Sequence, residues 1–374
     1  MLEIAKHSDL KLTRYPIYPN DKFLAWNAAD EYLVNYLNQE YHDLKNILII
    51  EDEFGAIGIH LKADNIYFVN DSILSQKGII SNFNQNKINT SNLSFLSPYD
   101  PFPKDIDLII IKIPKSNSYF EFLISKLNSH YPPDLPLLAA TMVKYLNSTL
   151  YETCHSLLNN MQYSLTWKKA KIITGKLKGQ KNNQDFITKV KHANLTLINY
   201  INLFSSSKID IGTRFLLDNL SLINFPPNLD NIIDLGSGNG IIAFSLLTLL
   251  PQAKFWLTDI TSSAYHSAKA TISYNQLDSN NITLSKDHAL DSFPADFADL
   301  IITNPPFHEN HKVSIAPTLS IFADCFKVLK KNKMLVVIAN RHLGYHQHLK
   351  KLFSEVNIIT QNDKFIILSA IKSI

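Results

Sequence analysis

Apolar residues in the second half of the chain fall into short unbroken runs separated by amphipathic stretches, an alternation that predicts strands and helices in turn. "NIIDLGSGNG" from residue 231 reads as a strand ending in a glycine loop, "IIAFSLLTLLP" as a helix closed by Pro251, and "KFWLTDI" as a second strand ending in Asp259. "SSAYHSAKATISYNQ" predicts another helix, "NITLSKDHAL" a third strand, "FADLIITNPPF" a fourth and, after the helix "SIFADCFKVLK", "KMLVVIAN" a fifth. The final stretch, "VNIITQNDKFIILSAIK", divides at Asn362-Asp363 into the two strands of a hairpin. The pattern specifies an α/β domain with a mostly parallel sheet.

The first half of the chain carries the same pattern. "NILIIEDEFGAIG" at 46–58 overlies "NIIDLGSGNGIIA" from 231, with Gly55 under Gly240 and with Glu51 and Glu53 in place of Gly236 and Gly238. "NIYFVND" places Asp71 opposite Asp259, and "DLIIIKIPKS" from Asp107 echoes "DLIITNPPFH" from Asp299. The spacings agree closely, 52 residues from Gly55 to Asp107 and 59 from Gly240 to Asp299. Two copies of one fold are expected, the first having lost its glycine loop and its proline corner.

With 374 residues the chain has room for two or three domains, and a hydrophobic share of 45% allows each a core. Mean hydropathy is −0.05, and no stretch approaches the roughly 18 uncharged apolar residues of a membrane span. The opening "MLEIAKHSDLKLTRYP" mixes charges of both signs where a secretory signal needs an apolar run, so a cytoplasmic location is expected. Cys154 and Cys325 lack metal-binding spacing and read as reduced core thiols. A net charge of +3 says little, but residues 165–214 hold ten cations, among them Lys168, Lys169 and Lys171, against Asp185 and Asp210. Such a segment is either a footprint for a phosphate backbone or a solvated linker. The division expected is 1–170 for the degenerate domain, 171–200 for a basic linker and 201–374 for the catalytic domain.

Gly236-Ser237-Gly238-Asn239-Gly240, between a strand and a helix, lets a ligand approach the backbone. Asp234 just before it ill suits a dinucleotide's phosphates, whereas S-adenosylmethionine, which carries a sulfonium and an ammonium, suits acidic surroundings. Asp259, followed by Ile260, stands where a carboxylate accepts ribose hydroxyls. Asp287, before His288 and Ala289, can accept from an adenine amine. Any one of these aspartates is more commonly a cap or turn residue; their order along the chain points to a cofactor site. Asn304-Pro305-Pro306-Phe307 ends the fourth strand on a rigid corner. There the Asn304 oxygen and the Pro305 carbonyl can accept the two N–H groups of a planar amine, and Phe307 can stack on the ring that bears it.

"NPPFH", "DLGSGNG", "FSSSKIDIGTRFLL" and "ANRHLGYH" together resemble bacterial ribosomal RNA guanine-N2 methyltransferases, and "AWNAADEYL" and "EFGAIG" extend the likeness, towards those of the large subunit, over nearly the whole chain. The resemblance implies two tandem Rossmann-like methyltransferase domains, each a seven-stranded, mostly parallel sheet with a C-terminal antiparallel hairpin, the N-terminal one degenerate. It implies S-adenosylmethionine as cofactor, 23S rRNA as partner and N2-methylguanosine as product. Asn304 to Phe307 would hold the amine, with Asn304 also bordering the cofactor; Gly236, Gly238, Asp259 and Asp287 would hold the cofactor, and Phe204, Gly212 and Thr213 would cover it. His308 is read as a positioner of substrate or loop, and Arg341 as an RNA contact or the end of a surface turn. Neither a metal nor a membrane partner is expected, and a monomer is favoured. Methylation of 16S rRNA, protein glutamine N5-methylation and a catalytically inactive RNA-binding role remain alternatives.

Overall fold

The central strands are apolar at successive positions because both faces of each sheet are covered. A computed structural model of the chain describes residues 10–18, 23–181, 184–305 and 316–373 and divides into two units, Met1–Phe186 and Ile187–Ile374. In the first unit β1 (Asn46–Ile50), β2 (Asn65–Val69), β3 (Leu93–Leu96), β4 (Leu108–Lys112), β5 (Pro136–Met142), β6 (Leu158–Tyr163) and β7 (Ala170–Leu177) form one sheet in the order β3-β2-β1-β4-β5-β7-β6. In the second, β8 (Ile187–His192) and β9 (Leu195–Tyr200) pair separately as a hairpin. Then β10 (Asn231–Leu235), β11 (Lys254–Asp259), β12 (Ile282–Lys286), β13 (Ala298–Thr303), β14 (Leu329–Asn340), β15 (Glu355–Gln361) and β16 (Phe365–Ile371) form a sheet in the order β12-β11-β10-β13-β14-β16-β15. The two orders are the same, with five parallel strands followed by an antiparallel pair. Each reverses direction beside its first strand, where open α/β sheets bind ligands at the strands' carboxyl ends.

Neighbouring residues serve opposite faces. Ile232, Leu300 and Val336 join one core of the second unit while Ile233, Ile301 and Leu335 join another. The aspartates that open the two "DLII" runs have a shared structural task. Asp107 Oδ2 accepts from the amides of Lys45 and Asn46 (2.9 and 2.8 Å), and Asp299 Oδ2 from those of Asp230 and Asn231 (3.2 and 2.9 Å). Each secures the start of the central strand beside it. Both cysteines are buried and unpaired by disulfide.

Two expectations need correction. Residues 171–200 are not a linker: β7 lies between β5 and β6 in the first sheet, and β8 and β9 belong to the second unit. Lys171 and Lys176 in β7, and Lys189 and Lys191 in β8, share strands with buried or half-buried apolar residues, so a count of charges hid two strands. The free edge of β9 is satisfied by the helix Ser262–Tyr274 and its C-cap. The amides of Thr196, Ile198 and Tyr200 donate to Asn275 Oδ1, Thr271 Oγ1 and Ser267 Oγ at 2.8–2.9 Å. The second correction concerns register. Ile50 pairs with Val69 as Leu235 pairs with Thr258, so Asn70, not Asp71, occupies the place of Asp259.

Candidate active site

At the carboxyl end of β10 the chain turns through three glycines with positive φ, Gly236 (72°), Gly238 (54°) and Gly240 (85°). They are required for different reasons. A Cβ on Gly240 would lie 2.5 Å from the Phe244 ring, whereas one on Gly238 would meet nothing within 4 Å among the described residues. A Cβ on Gly236 would find, among the described residues, only the Asn304 carbonyl oxygen, at 4.0 Å, so loop and corner come together there. The amides of Gly236 and Ser237 both donate to the Thr258 carbonyl (2.9 and 3.1 Å), and Ser237 is buried. Asn239 ties the loop to β9 through Asn199 (2.9 Å).

Asp259 holds the loop from the end of β11. Its Oδ2 accepts from the Gly238 amide (3.1 Å) and its Oδ1 from the amide and hydroxyl of Thr261 (3.0 and 2.9 Å). Desolvation outweighs these bonds and raises its pKa. Ile260 beside it is half-buried. Asp234 is fully buried and accepts from the Ala243 amide (3.0 Å), which caps the helix Ile241–Leu247; burial, then the charge of Asp259, pushes its carboxyl up to about 7. Its other oxygen, Oδ1, is buried without a hydrogen-bond partner among the described residues. Asp287 directs both carboxylate oxygens into its own turn, towards the His288 amide (2.8 Å) and the Ser292 amide and hydroxyl (2.9 and 2.6 Å). Ala289 follows with φ 51°, and His288 Nδ1 lies 3.6 Å from Asp291.

Asn304 follows β13 and is gripped by its amide nitrogen. Nδ2 donates to Thr213 Oγ1 (2.9 Å) and to Asp210 Oδ2 (3.2 Å). Asp210 is the N-cap of the helix Ile211–Asp218, which carries Gly212 and Thr213, and also accepts from the Thr213 amide (3.1 Å). Asn304 Oδ1 is buried and has no hydrogen-bond partner among the described residues. An orphaned buried acceptor calls for an explanation, and a ligand N–H is the one this corner offers. Pro305 is buried behind it, while Pro306, Phe307 and His308 lie outside the described residues. Phe204 is 77% exposed, and Arg341 is exposed in the turn after β14.

In the first unit the same places are filled. Register puts Lys112 where Asn304 stands, and its Nζ meets Asp30 at 2.8 Å. Asp30, like Thr213, is the third residue of an N-capped helix, here Ala28–Glu40. Glu51, at the place of Gly236, takes φ 63° and accepts from the Tyr119 hydroxyl (2.9 Å); burial, then Asp71, pushes its carboxyl up to about 8. Asp52 receives the amides of Ala56, Ile57 and Gly58 (2.9–3.1 Å). Side chains thus occupy the space that the second unit leaves open. Lys168 and Lys169 lie in the turn between β6 and β7, Lys168 bridging to Glu31 (3.1 Å), and Lys171 is half-buried in β7.

Sequence reasoning counted Asp210 only as a charge and took Thr213 for a cofactor cover. The Asp-x-x-Thr spacing of an N-cap was the available signal, but nothing local connects it to a residue 91 positions away.

Residues 2–179 match the RLMG N-terminal domain family and residues 194–369 the methyltransferase small domain family. The ribosomal RNA large subunit methyltransferase G of Vibrio vulnificus is 34% identical over 370 residues, 97% of each chain. That of Shewanella loihica is 34% identical over 98% of this chain and 93% of its own length. In fold, the chain aligns with the T. thermophilus 16S rRNA N2 methyltransferase (RsmC) in complex with AdoMet and guanosine, at TM-score 0.75 and 14% identity over 92% of both chains. With a third of its residues identical to these relatives across almost their whole length, the chain belongs to the ribosomal RNA large subunit methyltransferase G family.

Proposed function

We propose that this chain methylates the N2 amine of a guanosine in 23S rRNA, with S-adenosylmethionine as cofactor. The observation that carries the reading is the Asn304 Oδ1 just after β13, buried and without a hydrogen-bond partner among the described residues, on a corner whose backbone carbonyl approaches the glycine loop. S-adenosylmethionine supplies an activated methyl group when bound, and Gly236, Gly238 and Asp259 would hold it. Asn304 Oδ1 and the Pro305 carbonyl then accept the two N–H groups of the target amine and orient its lone pair. No side-chain base is required, because the nitrogen becomes acidic as it is alkylated.

The names of the full-length relatives support the large-subunit RNA as substrate. The second unit, with its open loop and corner, is the catalytic half, working in the cytoplasm where ribosomes assemble. The first, its corner closed by Lys112 and Asp30, serves as scaffold or RNA reader, with Lys168, Lys169, Lys171 and Arg341 as candidate phosphate contacts. Labelled methyl transfer to purified 23S and 16S rRNA, followed by nucleoside mass spectrometry, tests the reading. Methylation confined to 16S rRNA would move the substrate to the small subunit. Asn304→Ala is expected to lower turnover by about 10²–10³-fold, as losing one preorganised polar contact does elsewhere, and to leave cofactor affinity within a few-fold.

A further inference from the structure

We infer that Thr213 and Asp210 are positioning residues for the transfer: they fix which end of the Asn304 amide meets the substrate. The inference rests on the function proposed above. An asparagine side chain has a donor end and an acceptor end of nearly equal shape, and only one orientation can receive an amine's N–H. At Asn304 that choice is made by its neighbours. Asp210 Oδ2 already accepts from the Thr213 amide, so the NH₂ end turns towards it as donor, and Thr213 Oγ1 takes the other N–H. Oδ1 is left buried and, among the described residues, unpartnered, at the other end of the amide from both. The N-cap bond from the Thr213 amide to Asp210 Oδ2 (3.1 Å) holds the two residues as one rigid unit.

The first unit supplies an independent instance of this arrangement. There too the residue in register with Asn304, Lys112 at the end of the fourth strand, reaches the third residue of an N-capped helix, Asp30 (2.8 Å). The fold therefore brings these two places together whatever residues occupy them. In the second unit that contact serves an amide whose far end is free for a ligand.

The test compares Thr213→Val, which keeps shape and removes the hydroxyl, with Thr213→Ser, which keeps the hydroxyl. Steady-state kinetics with rRNA and calorimetry with S-adenosylmethionine are read for each. Thr213→Val is expected to lower kcat about 10- to 100-fold with cofactor Kd within threefold, and Thr213→Ser to recover kcat to within about threefold of wild type. Asp210→Ser, which still caps the helix but is too short to reach Asn304, should resemble Thr213→Val. In an Asn304→Asp background, where both side-chain oxygens accept, Thr213→Val should add no further loss. Equal losses in Val and Ser variants, or a cofactor Kd that weakens as much as kcat falls, would overturn the assignment. The side-chain amide of Asn304, identified in a ¹⁵N spectrum by its absence in Asn304→Ala, reads orientation without any substrate. Its protons should exchange slowly in wild type and at least tenfold faster in Thr213→Val; unchanged exchange would also overturn it. A wild type that transfers no methyl group to guanine N2 would sink the proposed function and leave this amide measurement to decide orientation alone.

Discussion

Gly238 and Gly240 both hold positive φ, yet a side chain would meet open space at the first and the Phe244 ring at the second. Alanine separates the two demands. Gly240→Ala is expected to cost about 2 kcal/mol or more, from the left-handed conformation together with overpacking. Gly238→Ala should cost only the conformational part, about 1–2 kcal/mol, while lowering cofactor affinity about tenfold or more, because its methyl group enters the open space of the loop. Urea titration and calorimetry on both variants check this. A Gly238→Ala protein that binds cofactor normally would place the ligand elsewhere.

The corner after β4 is closed by an element-level device: an ion pair between a strand end and the first turn of a helix, with Asp30 fully buried and the Lys112 side chain 18% exposed. Removing one partner strands the other, so Lys112→Met is expected to destabilise the protein by about 3–5 kcal/mol, and adding Asp30→Leu should restore most of it. Chemical denaturation of the single and double variants measures both; a loss under about 1 kcal/mol in the single variant would mean that the pair does not hold the corner. Elements of this kind were unevenly legible in the sequence. The central strands stood out because burial on both faces makes them apolar throughout, and the glycine loop because three closely spaced glycines favour the left-handed turns it makes. Strands β7 and β8 did not, since lysines interrupt their apolar pattern. The slip between Asn70 and Asp71 arose because either polar residue reads as a strand end, and only pairing with the neighbouring strand decides between them. The grip of Thr213 on Asn304 is non-local and left no trace in either segment.

For the molecule as a whole, a net charge of +3 gives little long-range attraction, so RNA affinity must come from local lysines. Lys169, exposed in the β6–β7 turn, is better placed for this than Lys168, which already bridges to Glu31, or Lys171, which is half-buried. Lys169→Glu is expected to weaken rRNA binding and to flatten its dependence on log salt by about 0.7–0.9 for each phosphate contact removed. Filter binding across a salt series measures the slope, and an unchanged slope would remove this turn from the RNA surface. The two sheets share one strand order, but among the described residues only the second leaves space at its glycine loop. Mass action therefore treats them unequally. A small ligand at 100 times its dissociation constant adds about 2.7 kcal/mol to whatever it binds, and under the proposed function that gain goes to the second sheet alone. On that proposal the first must hold its fold by internal contacts at every cofactor concentration, and a drop in cofactor supply would leave the second as the half more exposed to unfolding and proteolysis.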